Sequence, residues 1–259
     1  MELGFVSHIK KDKIGPEDPE LLEMLAESFG QVDTADLVAI AAELAARQEQ
    51  FAEALAEPSA WGQDELAWVA HAVTPSRKKA RALLAGLDRI AIAVPVQELL
   101  QDKKPVPYRF ADFVEKLGNF DIRLRLELAS GLLHNAAPRS QWLWTRWVWD
   151  AKTQTGVLPL LVGSTHNLVA DTLAEEYMRV GSVTAVAMSF AEKTGLLTPE
   201  LTELPQHNAF APDVFLACTY SIYLYGVTNW RLSREYNRLL PTLPNLMRRL
   251  LGLPKVTGK

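Results

Sequence analysis

Cysteine occurs once in the 259 residues, as Cys218 inside an apolar run, so the chain can close no disulfide on itself and build no paired-cysteine zinc site. A dominant charge is missing too. The 27 Lys+Arg stand against 31 Asp+Glu, a net of -4, which leaves no whole-molecule field to gather nucleic acid. The GxxxxGK[ST] phosphate loop, a GxGxxG after a strand and the GxSxG elbow are all absent. There is no fixed-period repeat, heptad array or low-complexity segment, which removes solenoids and coiled coils. The start, MELGFVSHIKKDKIG, has neither the apolar centre nor the cleavage site of a secretory signal and reads as cytoplasmic.

With 48% hydrophobic residues, the chain can bury a large core. One long uncharged, aromatic-rich stretch lies between Asp213 and Arg231. Thr219, Tyr220, Ser221, Tyr223 and Tyr225 interrupt it with hydroxyls, so it reads as a helix buried on most sides of the protein, without stable membrane insertion.

Helix signals dominate the pattern, and the expected fold class is all-α, a multi-helix bundle. Pro19 suits a first helical position and Gly30 a stop. Asp33 or Thr34 can cap the next segment, in which Leu37, Ile40, Ala41, Leu44, Gln48, Phe51 and Leu55 keep helical spacing until Pro58. Helices are further expected around 63–73, from Thr74-Pro75 to Leu87, near 166–180 and 183–194 with Gly181 between them, and in a short basic segment after Pro241. An aromatic-rich central helix is expected near 213–239. RIAIAVPVQELL and DIRLRLEL both alternate as strands do, and the second reads better as a helix because it continues into ELASGLLHNAA. For 140–163, helix-turn-helix is the preferred reading and a small β-hairpin stays open.

DKKPVPY, residues 102–108, has linker composition. It separates an Ala-rich N-terminal helical subdomain, 1–101, from an aromatic-rich C-terminal bundle, 109–259.

HNLVADTLAEEY, residues 166–177, is the segment richest in potential ligands. On a helix, Asn167, Asp171 and Glu175 form one row of oxygen donors able to hold Mg²⁺ or another divalent cation. The spacing resembles the asparagine–serine–glutamate row of class I terpene synthases. Asp171 stands where that row has a hydroxyl, and no DDxxD-like segment opposes it, so the likeness implies no membership. The plain alternative is a capped, solvated helix face. Three of the five histidines precede an asparagine, at His134, His166 and His207, and are further metal candidates.

Trp142, Trp144, Trp147 and Trp149, with Tyr223 and Trp230, can form an aromatic core or line a pocket for an apolar-aromatic ligand, with Arg146 and Arg234 beside it. The leading expectation is a non-catalytic helical binding or regulatory protein whose partner is a protein or such a ligand. The alternative is a metal-dependent lyase or hydrolase acting on a phosphorylated substrate, with Asn167, Asp171 and Glu175 on the cation and Arg139, Arg146 or Arg234 on the phosphate. A third reading is nucleic-acid association through Arg77, Lys78, Lys79 and Arg81 or through Arg248, Arg249, Lys255 and Lys259.

Overall fold

The computed structural model describes residues 19–73, 80, 89–163, 166–197, 199–202, 208–231 and 241–256. Among them are eleven α-helices and no strand: α1 Pro19–Gln31, α2 Thr34–Ala56, α3 Gln63–Val73, α4 Arg89–Leu100, α5 Val106–Lys116, α6 Ile122–Ala136, α7 Val157–Val162, α8 Leu173–Lys193, α9 Pro199–Thr202, α10 Ala211–Arg231 and α11 Leu243–Leu250. The fold is an all-α multi-helix bundle. The expected helix from Thr74 and the segment 232–239 lie outside the described residues.

Local chemistry explains most boundaries. Asp33 Oδ1 accepts from Ala35 N at 2.9 Å and caps α2, whose residues Leu37, Ile40, Ala41, Leu44 and Phe51 form the buried stripe. Each large side chain so buried contributes about 2 kcal/mol. Asp121 Oδ1 accepts from Arg123 N at 3.0 Å and starts α6, which settles DIRLRLEL as helix. Every residue from Glu127 to Asn135 is buried, because α6 packs against α2, α3, α4 and α5. RIAIAVPVQELL is helical as well, with Pro95 inside α4. Its apparent alternation breaks down in burial, since Ile92 is buried and Val94 exposed.

The linker-like DKKPVPY is a turn and a helix start. Pro105 precedes α5, Pro107 lies in its first turn, and α4 packs directly on α5. One hydrophobic core contains residues from both sides of this turn, from Leu25 to Leu251.

Two expectations need correction. Residues 137–156 form neither helix-turn-helix nor hairpin; their one ladder contact is the antiparallel bridge Asp150–Thr155, and the following helix, α7, is six residues long. Gly156, at φ 142°, runs so close to the Val148 carbonyl that a side chain has no room, which holds the loop in its tight return. Secondly, the two helices expected on either side of Gly181 are one, α8. Gly181 faces the Trp142 ring in direct contact, so its missing side chain serves a close approach in mid-helix.

α10 packs against α1, α2, α7 and α11, with Val214 to Thr219 buried and the chain half-buried from Tyr223 to Gly226. No helix among the described residues is long and apolar enough to cross a membrane. Cys218 is free and fully buried, and burial pushes its thiol up to about 12, which keeps it unreactive.

Candidate functional site

The row Asn167, Asp171 and Glu175 does not exist as helical geometry, because α8 begins only at Leu173. Thr172, in an extended conformation, accepts from Glu175 N through Oγ1 at 3.2 Å and is the true cap. Upstream, Asn167 Oδ1 accepts from Val169 N at 2.9 Å, a local turn that competes with helix. All three side chains are exposed. Among the described residues, no group of three His, Cys, Asp or Glu side chains is placed to hold a metal ion.

The histidines are not brought into one described cluster. His166 is half-buried ahead of the same turn, and His207 lies outside the described residues. His134 is deep in the bundle. Its Nδ1 donates to the Gln141 carbonyl at 2.8 Å, and its Nε2 faces Asp213 Oδ2 at 3.1 Å, with the two side chains 5% and 6% exposed. Both oxygens are acceptors, an arrangement that favours protons on both ring nitrogens, although Nε2 and Asp213 Oδ2 are not aligned for a hydrogen bond.

The charge balance agrees with that state. Burial alone pushes the His134 pKa down, but the Asp213 carboxylate and the Gln141 carbonyl outweigh it, and Arg47 gives back part of the gain, so the value lies above the ordinary one. Arg47 itself is pushed down to about 10 by burial, against the pull of Asp213. Its Nη1 donates to the Leu251 carbonyl at 2.8 Å. Arg47 thus ties this polar centre to the end of α11, where Trp147 Nε1 caps the Leu250 carbonyl at 3.1 Å.

The tryptophans form an internally satisfied set. Trp142 Nε1 donates to the Tyr177 carbonyl at 3.0 Å, Trp144 to the Trp149 carbonyl at 3.1 Å, and Trp149 to Glu176 Oε1 at 2.9 Å. Tyr177 is stacked between Phe110 and Trp142, with ring centroids 4.3 Å and 4.7 Å away, and its hydroxyl donates to Gln141 Oε1 at 2.9 Å. Trp144, Trp147 and Trp149 are core, Trp142 packs half-buried against it, and the indole N–H of each is engaged.

Of the residues expected to bind ligand, Trp147 is buried, Tyr223 half-buried and Arg146 exposed, and Tyr220, which is not among them, lies between the two aromatic ones. Trp147 lies beside Tyr220 at 6.2 Å, and Tyr220 stacks with Tyr223 at 6.2 Å. Arg146, 60% exposed, donates through Nε to Asp150 Oδ2 at 3.1 Å. Asp150 also pairs with Arg123 at 2.8 Å and accepts from Lys152 N at 3.2 Å. Burial raises the Asp150 carboxyl, and Arg123, Lys152 and Arg146 together bring it below its ordinary value. Arg139 is exposed, while Arg234 and the side chain of Trp230 lie outside the described residues.

Sequence reasoning missed Asp150, Asp213 and Arg47. Asp213 ends the charge-free stretch at the first turn of α10, which marks it as a helix-start acid; nothing in the pattern names its partner. The basic C-terminal segment is partly structural: Arg248 is buried, pairs with Glu43 and donates to the Pro254 carbonyl at 2.8 Å. The basic cluster from Arg77 to Arg81 and Lys259 lie outside the described residues.

Compared with protein-family models, with curated proteins and with solved structures, the chain matches none.

Proposed function

We propose that the protein is a non-catalytic helical binding or regulatory protein, and that its ligand or partner docks on the surface made by Arg146, Tyr220 and Tyr223. The observation that carries this reading is the contrast within one aromatic group: the tryptophans spend their N–H groups inside, whereas the adjoining tyrosines are half-buried and Arg146 is largely exposed. Exposed Arg and Tyr on a rigid base are the residue types that dominate binding hot spots. Asp150 fixes the Arg146 side chain at Nε, which lowers the entropy lost on binding. The terminal nitrogens of Arg146 face a carboxylate or comparable anion, and the tyrosine rings an aromatic group. A small apolar-aromatic ligand with an acidic substituent, or a protein segment presenting the same groups, fits these donors. One buried thiol and no membrane-crossing helix among the described residues accord with a reducing, cytoplasmic setting.

The test is a titration with aromatic carboxylates and their neutral amides, followed by the amide and ring signals of Tyr220 and Tyr223. Binding of the acids in preference to the amides, weakened about tenfold or more in Arg146→Ala, is the expected result; charged contacts of this kind are worth ~1.5 kcal/mol or more. Equal response to acid and amide, or an unchanged affinity in Arg146→Ala, contradicts the reading.

A further inference from the structure

We propose that binding at the Arg146, Tyr220 and Tyr223 surface is regulated by protonation of His134, which fastens together from inside the bundle the two elements that build that surface. The inference rests on the functional reading above and adds a control to it.

Arg146 belongs to the loop 137–156, whereas Tyr220 and Tyr223 belong to α10. His134, on α6, touches both elements. Its Nδ1 meets the Gln141 carbonyl at 2.8 Å near the start of the loop, and its Nε2 meets Asp213 Oδ2 at 3.1 Å in the first turn of α10. Among the described residues, the charged groups acting on His134 are Asp213 from α10 and Arg47 from α2. The Phe210 ring, just ahead of α10, closes one side in an edge contact at 5.6 Å.

The two contacts differ in kind. The first is a hydrogen bond, which a neutral imidazole keeps by leaving its proton on Nδ1. The second is an approach of charges without the alignment of a hydrogen bond, so it attracts only while the ring is an imidazolium. Once the proton leaves, the Nε2 lone pair faces the carboxylate and attraction becomes repulsion. Arg47 is then the cation left to hold Asp213. Deprotonation therefore loosens the first turn of α10 from α6 while the loop keeps its tie.

A ligand that spans Arg146 and the tyrosines needs the loop and α10 in their fastened arrangement. It binds the protonated form better and, by linkage, favours protonation of His134 in return. Burial alone opposes the imidazolium, but Asp213 and the Gln141 carbonyl bring the His134 pKa above its ordinary value of about 6.5, so affinity is full below that value and is lost as pH rises through the folded one. The surface itself does not titrate in this window. Asp150 lies below its ordinary value and Tyr220 above its own.

The test follows the full chain by NMR from about pH 5.5 to 8.5, with and without benzoate, which keeps its charge throughout. In the free protein, the His134 ring signals and the amide signals of Asp213 and Val214 are expected to titrate with one midpoint. Benzoate affinity is expected to fall about tenfold above that midpoint, and saturating benzoate to raise the midpoint by about one pH unit, the reciprocal of the same factor. His71→Gln, at an exposed histidine of α3, should leave both effects in place, and His134→Gln should make affinity independent of pH. Should His134→Gln not fold, the two wild-type midpoints decide the matter alone. Benzoate binding that ignores pH while His134 titrates, or a His134 ring that does not titrate in this range, overturns the coupling and leaves the surface reading standing. No benzoate binding at any pH overturns that reading and the coupling with it.

Discussion

His134 Nε2 lies 3.1 Å from Asp213 Oδ2, and this pair joins α6 to α10 across the middle of the bundle. Because the folded His134 pKa is raised, the pair contributes stability that is complete below the unfolded value of about 6.5 and is lost as pH rises through the folded value. The wild-type melting temperature is therefore expected to fall across that window on the alkaline side. His134→Gln leaves the Asp213 carboxylate buried beside Arg47 alone and should cost about 3 kcal/mol at pH 6. The measurement is thermal unfolding from pH 5.5 to 8.5. A variant with the same slope as the wild type shows that His134 is not the group responsible.

Asp150 gives the opposite pH dependence. Its folded pKa is depressed, so its contribution is present above the unfolded carboxylate value and is lost as pH falls through the folded one. Asp150→Asn removes the charge that holds Arg123 and Arg146 and is expected to cost about 2 kcal/mol, less than a fully buried pair, because both arginines can rehydrate. Urea unfolding at pH 7 and pH 3 should show the difference between wild type and variant shrinking in acid. A constant difference assigns the effect to packing.

Gly181→Ala runs against ordinary helix propensity. In an exposed helix the change is stabilising by about 1 kcal/mol, but here the methyl meets the Trp142 ring. Overpacking of this kind costs about 1–3 kcal/mol. The prediction is a net loss for Gly181→Ala in wild type and a smaller loss, or a gain, in a Trp142→Ala background, read from equilibrium unfolding of the four proteins. Equal losses in both backgrounds contradict the contact.

These positions also mark where the sequence was readable. The stripe Leu37, Ile40, Ala41, Leu44 and Phe51 and the Asp33 cap follow from neighbours a few residues apart, and local pattern finds such features. Gly181 was misread because its cause is a tryptophan on a distant loop, invisible to any window along α8. The 167/171/175 row failed by a boundary: the Asn167 turn and the Thr172 cap delay the helix until Leu173, which removes the spacing the row required. The His134–Asp213 pair was hidden because side chains that face one another across a core leave no periodic trace. The loop 137–156 looked helical or hairpin-like since its apolar content is that of a buried element, and its fold depends on side-chain N–H groups finding carbonyls.

The placement of the binding surface depends on the four loop tryptophans having their N–H groups engaged inside the protein. Hydrogen exchange of their indole N–H groups, followed by NMR at neutral pH, tests this most directly. The structure predicts slow exchange for Trp142, Trp144, Trp147 and Trp149, each donating to an oxygen at 2.9–3.1 Å, with these signals unmoved by ligand except Trp147, next to Tyr220. Exchange of the four at the rate of a free indole, or ligand-induced shifts in Trp142 and Trp144 as large as those in Trp147, would contradict the account.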